Sequence, residues 1–253
     1  MDTLIDFHSH ILPGMDDGST SAEMSVAMLR MELAQGIALV LLTPHFYPWK
    51  ENPAAFLARR AEAEASLRRE MEKQGQLPRI ILGAEVAYFR GISESEAVRE
   101  LAVTGAGCIL IEMPPAPWPE TAYAELEQIR HNWNIIPVIA HIDRYIRPFK
   151  TYGIPGRLAA LPVLVQANAS FFLNRRTSAM AMGMLKNDRI HLVGSDCHNL
   201  TDRKPNLGAA AERIRRKLGE KAIARICRHQ RGVLEIYQSL PESLASGGIH
   251  AHE

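Results

Sequence analysis

Residues 4–10 read Leu-Ile-Asp-Phe-His-Ser-His. The first four form an apolar run broken only by Asp6, the signature of a short strand, and two histidines follow as that run ends. Side chains two apart on an extended chain project to one side, so His8 and His10 aim both imidazoles the same way, with Asp6 one step deeper on that face. The same pattern recurs outward along the chain. With 4–7, the β-rich runs at 38–42, 79–82, 108–111, 136–140, 163–165 and 191–193 make seven candidate strands. As they end, ionisable residues appear: His45, Glu85, Glu112, His141, and then Asp196 with His198, which repeats the two-residue spacing. Segments of helical period lie between, for example 21–35, where Met24, Met28 and Met31 form a stripe read as core and Gly36 offers a stop. Strands alternating with helices pair in parallel through right-handed crossovers. The expected fold is α/β, a distorted seven-stranded (β/α)7 TIM-like barrel, in which the carboxyl ends of all strands converge on one face and distant residues share one pocket.

The 253 residues suit one domain of this size over 1–253, with a flexible tail over 240–253 that ends Ser-Gly-Gly-Ile-His-Ala-His-Glu. Lys plus Arg total 29 against 28 acidic residues, so no overall field draws the chain to nucleic acid or an anionic membrane. Any anionic substrate must be caught locally. No apolar run approaches the roughly 20 residues of a membrane span or forms a signal peptide, and three cysteines are too few and too odd for a disulfide framework. These features point to the cytoplasm. The charge alternation over 59–73 reads as a solvated helix face, and the segments 113–119 and 152–156 read as loops after strands.

A lone histidine at a strand end is usually structural. Here His8, His10, His45, His141 and His198 coincide with Asp17, Glu85, Glu112 and Asp196, five imidazoles and four carboxylates with no cysteine, which argues for metal rather than a structural thiolate zinc site. Mixed nitrogen and oxygen donors admit manganese, iron, zinc or cobalt, and the oxygen-rich positions lean toward manganese. Nine side chains exceed the needs of one ion; two or three divalent ions are expected, with Glu85 a candidate bridge. Three such ions against four carboxylates and one bridging hydroxide leave about +1, a charge that attracts phosphate. A bridging hydroxide formed near neutral pH is a strong nucleophile, so phosphoester hydrolysis is the natural chemistry.

Further motifs extend the pattern: HSHILPGMDDGS over 8–19, TPH over 43–45, GAE over 83–85, LIE over 110–112, Ala140-His141 and GSDCH over 194–198. In this order, over residues 4 to 206, they resemble the polymerase-and-histidinol-phosphatase superfamily. Within it the chain is similar to the bacterial manganese-dependent tyrosine-protein phosphatases of capsule and exopolysaccharide loci. The resemblance implies ligands His8, His10, Glu85 and Asp196 for one ion, Glu85, Glu112 and His141 for a second, and Asp17, His45 and His198 for a third. It also implies that Arg144 and Arg203 grip phosphate beside Asp196 and His198, which suits planar guanidinium forks. Carboxylates at Asp17 and Glu112, where related phosphoesterases often have histidine, favour the tyrosine phosphatase branch. The implied partner is a phosphotyrosine protein, a cytoplasmic tyrosine kinase of polysaccharide export. Phenolate, with a parent pKa of about 10, leaves without a strong general acid. The motif departs from the family in HIDRY at 141–145, where proline commonly follows the histidine. The loop after His45 is unusually aromatic, and Phe46, Tyr47 and Trp49 either line the mouth or pack locally.

Rival readings are a superfamily phosphoesterase acting on histidinol phosphate or nucleic acid ends, an amidohydrolase, which would want a bridging lysine where Glu85 stands, and a nonenzymatic metal-dependent kinase regulator. Cys197 and Arg203 match the spacing of cysteine phosphatases, but the intervening segment lacks the glycine-rich phosphate cradle, so the match is read as accidental.

Overall fold

A computed structural model describes residues 4–146 and 153–238, with side chains to 234. All paired strands run parallel. Strands β1 (Ile5–Asp6), β2 (Leu39–Leu42), β3 (His45–Phe46), β4 (Arg79–Leu82), β5 (Glu85–Ala87), β6 (Cys108–Glu112), β7 (Ile136–Ile139), β8 (Leu164–Asn168) and β9 (Leu192–Gly194) form two pieces, ordered β1-β2-β4 and β3-β5-β6-β7-β8-β9. Nine strands thus stand among the described residues where seven runs were expected. The extra two arise because the runs at 38–42 and 79–82 continue past a break, at Thr43-Pro44 and at Gly83-Ala84. Proline cannot donate to a ladder, yet bonds from Gly83 N to Leu42 O (2.8 Å) and Glu85 N to Pro44 O (3.0 Å) carry the pairing across. The breaks turn His45 and Glu85 onto neighbouring positions in register, His45 opposite Glu85. The first and last strands also meet. Ser9 bridges Cys197, His10 N donates to Cys197 O (2.9 Å), and Asp196 N donates to His8 O (2.8 Å).

One side of the strands contributes Phe7, Leu41, Leu110, Val138 and Leu192 to an apolar cluster completed by Val103, Ala106 and Val233. The opposite side packs against helices α1 (Ala22–Ala34), α2 (Pro53–Met71), α3 (Ala97–Glu100), α4 (Glu120–Trp133), α5 (Gly153–Leu158), α6 (Ala169–Leu173), α7 (Ser178–Lys186), α8 (Leu207–Leu218) and α9 (Glu220–Gln238). Helix α1 starts where Ser21 caps it, its side chain accepting from Met24 N, and stops before Gly36, whose φ of 79° suits glycine. Of its methionine stripe only Met28 is fully buried. The buried face also carries Ser25 and Glu32, which the stripe did not reveal.

Two expectations are corrected. The run 59–73 is not wholly solvated: Arg60 is buried and donates to Gly83 O at 2.8 Å, fixing the second strand break from the helix side. Gly153–Gly156, read as loop, begins helix α5, while 113–119 is irregular as expected. Tyr152 and the tail 240–253 lie outside the described residues.

Candidate metal centre

Glu85 is the hub. It is buried, and its Oε2 lies 3.3 Å from His8 Nε2, 3.4 Å from His10 Nε2 and 3.0 Å from His45 Nδ1, while Oε1 lies 2.6 Å from His141 Nε2. Around it, Glu112 approaches His45 and His141 at 3.8 and 3.5 Å. Asp196 reaches His8 at 3.7 Å and His10 at 3.4 Å, and Asp17 reaches His198 at 3.4 Å and His45 at 3.7 Å. All nine expected residues therefore meet at the carboxyl ends of the strands. Their grouping among the described residues differs from the implied one: the donor atoms of His10 cluster also with Asp17, His45 and His198, His45 rather than His141 clusters with Glu85 and Glu112, and Asp196 joins no such cluster. His10 and His45 stand between groups rather than inside one.

The donor set fits metal ions on its own chemistry. His45 Nδ1, Glu85 Oε2 and His198 Nε2 are buried and lack hydrogen-bond partners, and orphaned buried polar atoms are costly unless something satisfies them. They are the atoms that converge. His8 Nε2 and His10 Nε2 sit only 3.1 Å apart. Burial alone would lower the pKa of His8 and His10, but Glu85, Asp196 and, for His10, Asp16 outweigh it and raise both, His10 strongly. The same imidazoles hold Glu85 and Asp196 well below the carboxylate range against their burial. His198 is pushed down to about 4 by burial and by the charge on His10. Cations would replace this proton-laden cage with a neutral-imidazole, charged-carboxylate one.

Backbone geometry at the site is demanding. His141 and Asp196 hold φ of 29° and 53°, left-handed conformations that persist in side-chain-bearing residues only when their surroundings impose them. A Cβ on Gly194 would come within 2.6 Å of His8 Cβ, and one on Gly18 within 2.2 Å of His10 O. That explains the glycines of GSDCH and DDGS.

Sequence reasoning missed the residues that aim the imidazoles. Asp16 Oδ2 sits 2.7 Å from His10 Nδ1 and accepts from His45 N at 2.9 Å, and Oδ1 accepts from Gly18 N. His10 and these amides hold the Asp16 pKa at about 2 despite burial. Gln166 Oε1 lies 3.4 Å from His8 Nδ1 and accepts from His141 N at 2.6 Å; its amide donates to Asn168, whose Nδ2 donates to Asp196. The expectation that Asp6 shares the face of His8 and His10 is corrected: among the described residues its carboxylate pairs with no imidazole. Its carboxylate turns toward α1, accepts from the Ser195 amide and hydroxyl and from His8 N, and lies beside buried Glu32, whose pKa burial and Asp6 raise well above normal. The only available signal for Asp16 was its place in the tight Asp-Asp-Gly turn. Asp16→Asn is expected to lower metal affinity by roughly 10- to 100-fold, the usual cost of removing a group that orients a ligating imidazole. Metal titration of the stripped protein checks this; unchanged affinity would remove Asp16 from that role.

Arg144 Nη2 lies 2.6 Å from Asp196 and Nη1 3.4 Å from Glu112. Arg203 lies 3.1 Å from Asp196 and 3.6 Å from Asp17. Both guanidiniums are part-exposed at the rim.

The family profile for capsular polysaccharide synthesis, CpsB/CapC, matches residues 4–234. The chain belongs to the CpsB/CapC family. Relatives of this CpsB/CapC chain include the tyrosine-protein phosphatase YwqE of Bacillus subtilis, 30% identical over 228 residues and 86% of each chain. Another is the tyrosine-protein phosphatase CpsB of Streptococcus agalactiae, 26% identical over 86% of this chain and 92% of that one. Among solved structures, one described as YwqE from Bacillus subtilis and CpsB from Streptococcus pneumoniae, "unique metal-dependent tyrosine phosphatases", superposes with a TM-score of 0.78 at 24% identity, covering 92% of this chain and 94% of that one. That likeness shows the shared fold. In this CpsB/CapC member Cys197 is fully buried and burial pushes its thiol well above the ordinary range, the reverse of a thiolate nucleophile. Cys197→Ala is expected to keep metal content and turnover within about threefold; loss of turnover at full metal content would restore the cysteine mechanism.

Proposed function

We propose that the chain is a metal-dependent protein-tyrosine phosphatase that uses two or three divalent ions, manganese foremost with iron, zinc or cobalt as alternatives. The observation that carries the reading is Glu85 placed within 3.4 Å of four imidazoles, with two arginines at the rim above it. The ligands would be His8, His10, Asp17, His45, Glu85, Glu112, His141, Asp196 and His198. Bound there, divalent ions lower the pKa of water and stabilise charge on phosphoryl oxygens. Arg144 and Arg203 would hold the remaining phosphate oxygens as bidentate donors, once cations claim the carboxylates these arginines now pair with. Asp196 and His198 would position the nucleophilic water's surroundings from β9.

The Ser9–Cys197 bridge supports closing the two strand pieces into a distorted (β/α)7 barrel, each broken run counting as one stave, in a single domain. No helix of the described residues is long and apolar enough to cross a membrane, which accords with action in the cytoplasm on a phosphotyrosine kinase of polysaccharide export.

The test is the purified protein, stripped and reloaded with manganese, assayed side by side on phosphotyrosine peptide, phosphoserine peptide and histidinol phosphate. Preferential release from phosphotyrosine, lost on chelation, is expected. Preference for histidinol phosphate would move the protein to a metabolic branch, and binding of phosphopeptide with no hydrolysis would make it a regulator.

The pKa shifts set a pH signature. The raised values of His8 and His10 in the metal-free fold contribute stability that is present below the unfolded value of about 6.5 and lost as pH climbs through the folded values. Metal binding requires neutral imidazoles and strengthens over that same rise. Melting curves are therefore expected to diverge above about pH 6.5, the stripped protein losing and the loaded protein gaining stability. Parallel curves would contradict the assignment.

A further inference from the structure

Beside the metal centre lies a cavity of about 340 Å³, at the small end of the roughly 300–1,000 Å³ typical of ligand pockets. Met15, Asp16, Asp17, His45, Tyr47 and Arg59 line it, together with Lys50 and Glu51. The aromatic loop divides its labour. Phe46 is buried against Phe56, ring centroids 5.3 Å apart, and anchors the loop in the core. Tyr47 instead stacks on His45, centroids 5.1 Å apart and planes 23° from parallel. Trp49 backs Tyr47 at 5.2 Å and is 67% exposed, well above the other exposed large apolar side chains, Met180 and Leu200. Lys50 places its ammonium 4.3 Å from the Tyr47 ring centre, and Arg59 is held by Glu51 through two contacts of 2.6 and 3.2 Å.

We propose that this cavity is the subsite for the aryl leaving group, and that Tyr47 is the residue by which the site distinguishes aryl from alkyl phosphate esters. The inference rests on the phosphatase reading above. An ester whose phosphorus sits over His45 and Asp17 must place its leaving group in an adjoining space, and this cavity opens directly from those two residues. Its lining includes two groups suited to a flat ring: the Met15 thioether, which favours aromatic edges, and the Tyr47 phenol ring. The Arg59–Glu51 pair neutralises its far end. An alkyl chain would find the same room but no ring contacts.

The test compares manganese-loaded wild type, Tyr47→Ala and Tyr47→Phe in two ways. The first is the ratio of kcat/KM for phenyl phosphate to that for n-butyl phosphate; intrinsic leaving ability belongs to the ester and cancels between variants. The second is inhibition by phenylphosphonate against methylphosphonate, which needs binding alone. Aromatic contacts of this kind support a change of about 2- to 12-fold. Tyr47→Ala is expected to lower the aryl-to-alkyl ratio and weaken phenylphosphonate selectively by that factor, and Tyr47→Phe to restore both. Parallel losses for aryl and alkyl ligands would show that Tyr47 merely props His45 and would overturn the proposal, as would a Tyr47→Phe that fails like alanine. Absence of phosphotyrosine hydrolysis by wild type would sink the reading above instead, leaving the phosphonate comparison to decide the subsite.

Discussion

Glu85→Gln is expected to abolish turnover, with a fall in kcat of at least about 10³-fold, and to lower the metal content of the purified protein together with it. The amide keeps the size of the side chain but removes the negative charge that four imidazole nitrogens now face at 2.6–3.4 Å. It also leaves an NH₂ group in place of one of the two carboxylate oxygens that would hold cations, and an amide nitrogen does not ligate them. Metal ions contribute several kcal/mol of transition-state stabilisation, and each 1.36 kcal/mol is tenfold in rate, which sets the magnitude. The variant should nonetheless fold once pH is high enough for His8 and His10 to be neutral, because the amide then leaves no uncompensated buried charge. Elemental analysis, circular dichroism and phosphate release measured on one preparation check all three statements. A Glu85→Gln protein with full metal and near-normal turnover would remove Glu85 from the centre.

The second large effect concerns the rim. Removing either guanidinium, in Arg144→Ala or Arg203→Ala, is expected to cost on the order of 10²-fold in kcat/KM while metal content stays full, since one preorganised donor to developing charge is worth about that much. Each arginine pairs with carboxylates, Arg144 with Asp196 and Glu112, Arg203 with Asp196 and Asp17. Cations held there would compete for those same oxygens, which would free both guanidiniums for an incoming anion. Lysine should recover only part of the loss, because a point charge cannot replace the planar fork. Steady-state kinetics with inorganic phosphate as competitive inhibitor separates binding from turnover. Alanine variants that bind phosphate and turn over like wild type would place both residues outside the reaction.

Eight of the nine candidate ligands were legible because they follow apolar runs, and a parallel α/β sheet gathers such positions on one face whatever the exact strand count, while Asp17 was marked only by the DDGS motif. The orienting residues were not, and the reasons are local. Asp16 and Asp17 are identical in type and adjacent. Only the turn that brings Gly18 against the His10 carbonyl decides that Asp16 points inward at His10 while Asp17 stays at the mouth. Gln166 and Asn168 extend β8 past its apolar run as neutral amides, which carry no charge pattern to mark them, yet they tie His8, His141 and Asp196 together. Asp6 was assigned the wrong side because the two-residue period holds only while a strand stays regular, and β1 ends at Asp6 itself. Arg60 looked solvated since its neighbours along the helix are; a carbonyl left at the Gly83 break claims it.

The seam between the two ends of the chain has a consequence for how the protein is made. His8 and His10 leave the ribosome well before their neighbours: Gln166 and Asp196 lie 158 and 188 positions after His8, and Gln230 clasps Ile5 across a separation of 225 through both its amide nitrogen and its oxygen. Contacts this distant close slowly, and synthesis proceeds at only about 5–20 residues per second. For roughly 8 to 40 seconds the emerging segment therefore carries two histidines without the groups that would shape them into a chelate. A metal centre that needs Asp196 as well as His8 would therefore be completed 188 residues after its first ligand emerges, not as that ligand appears.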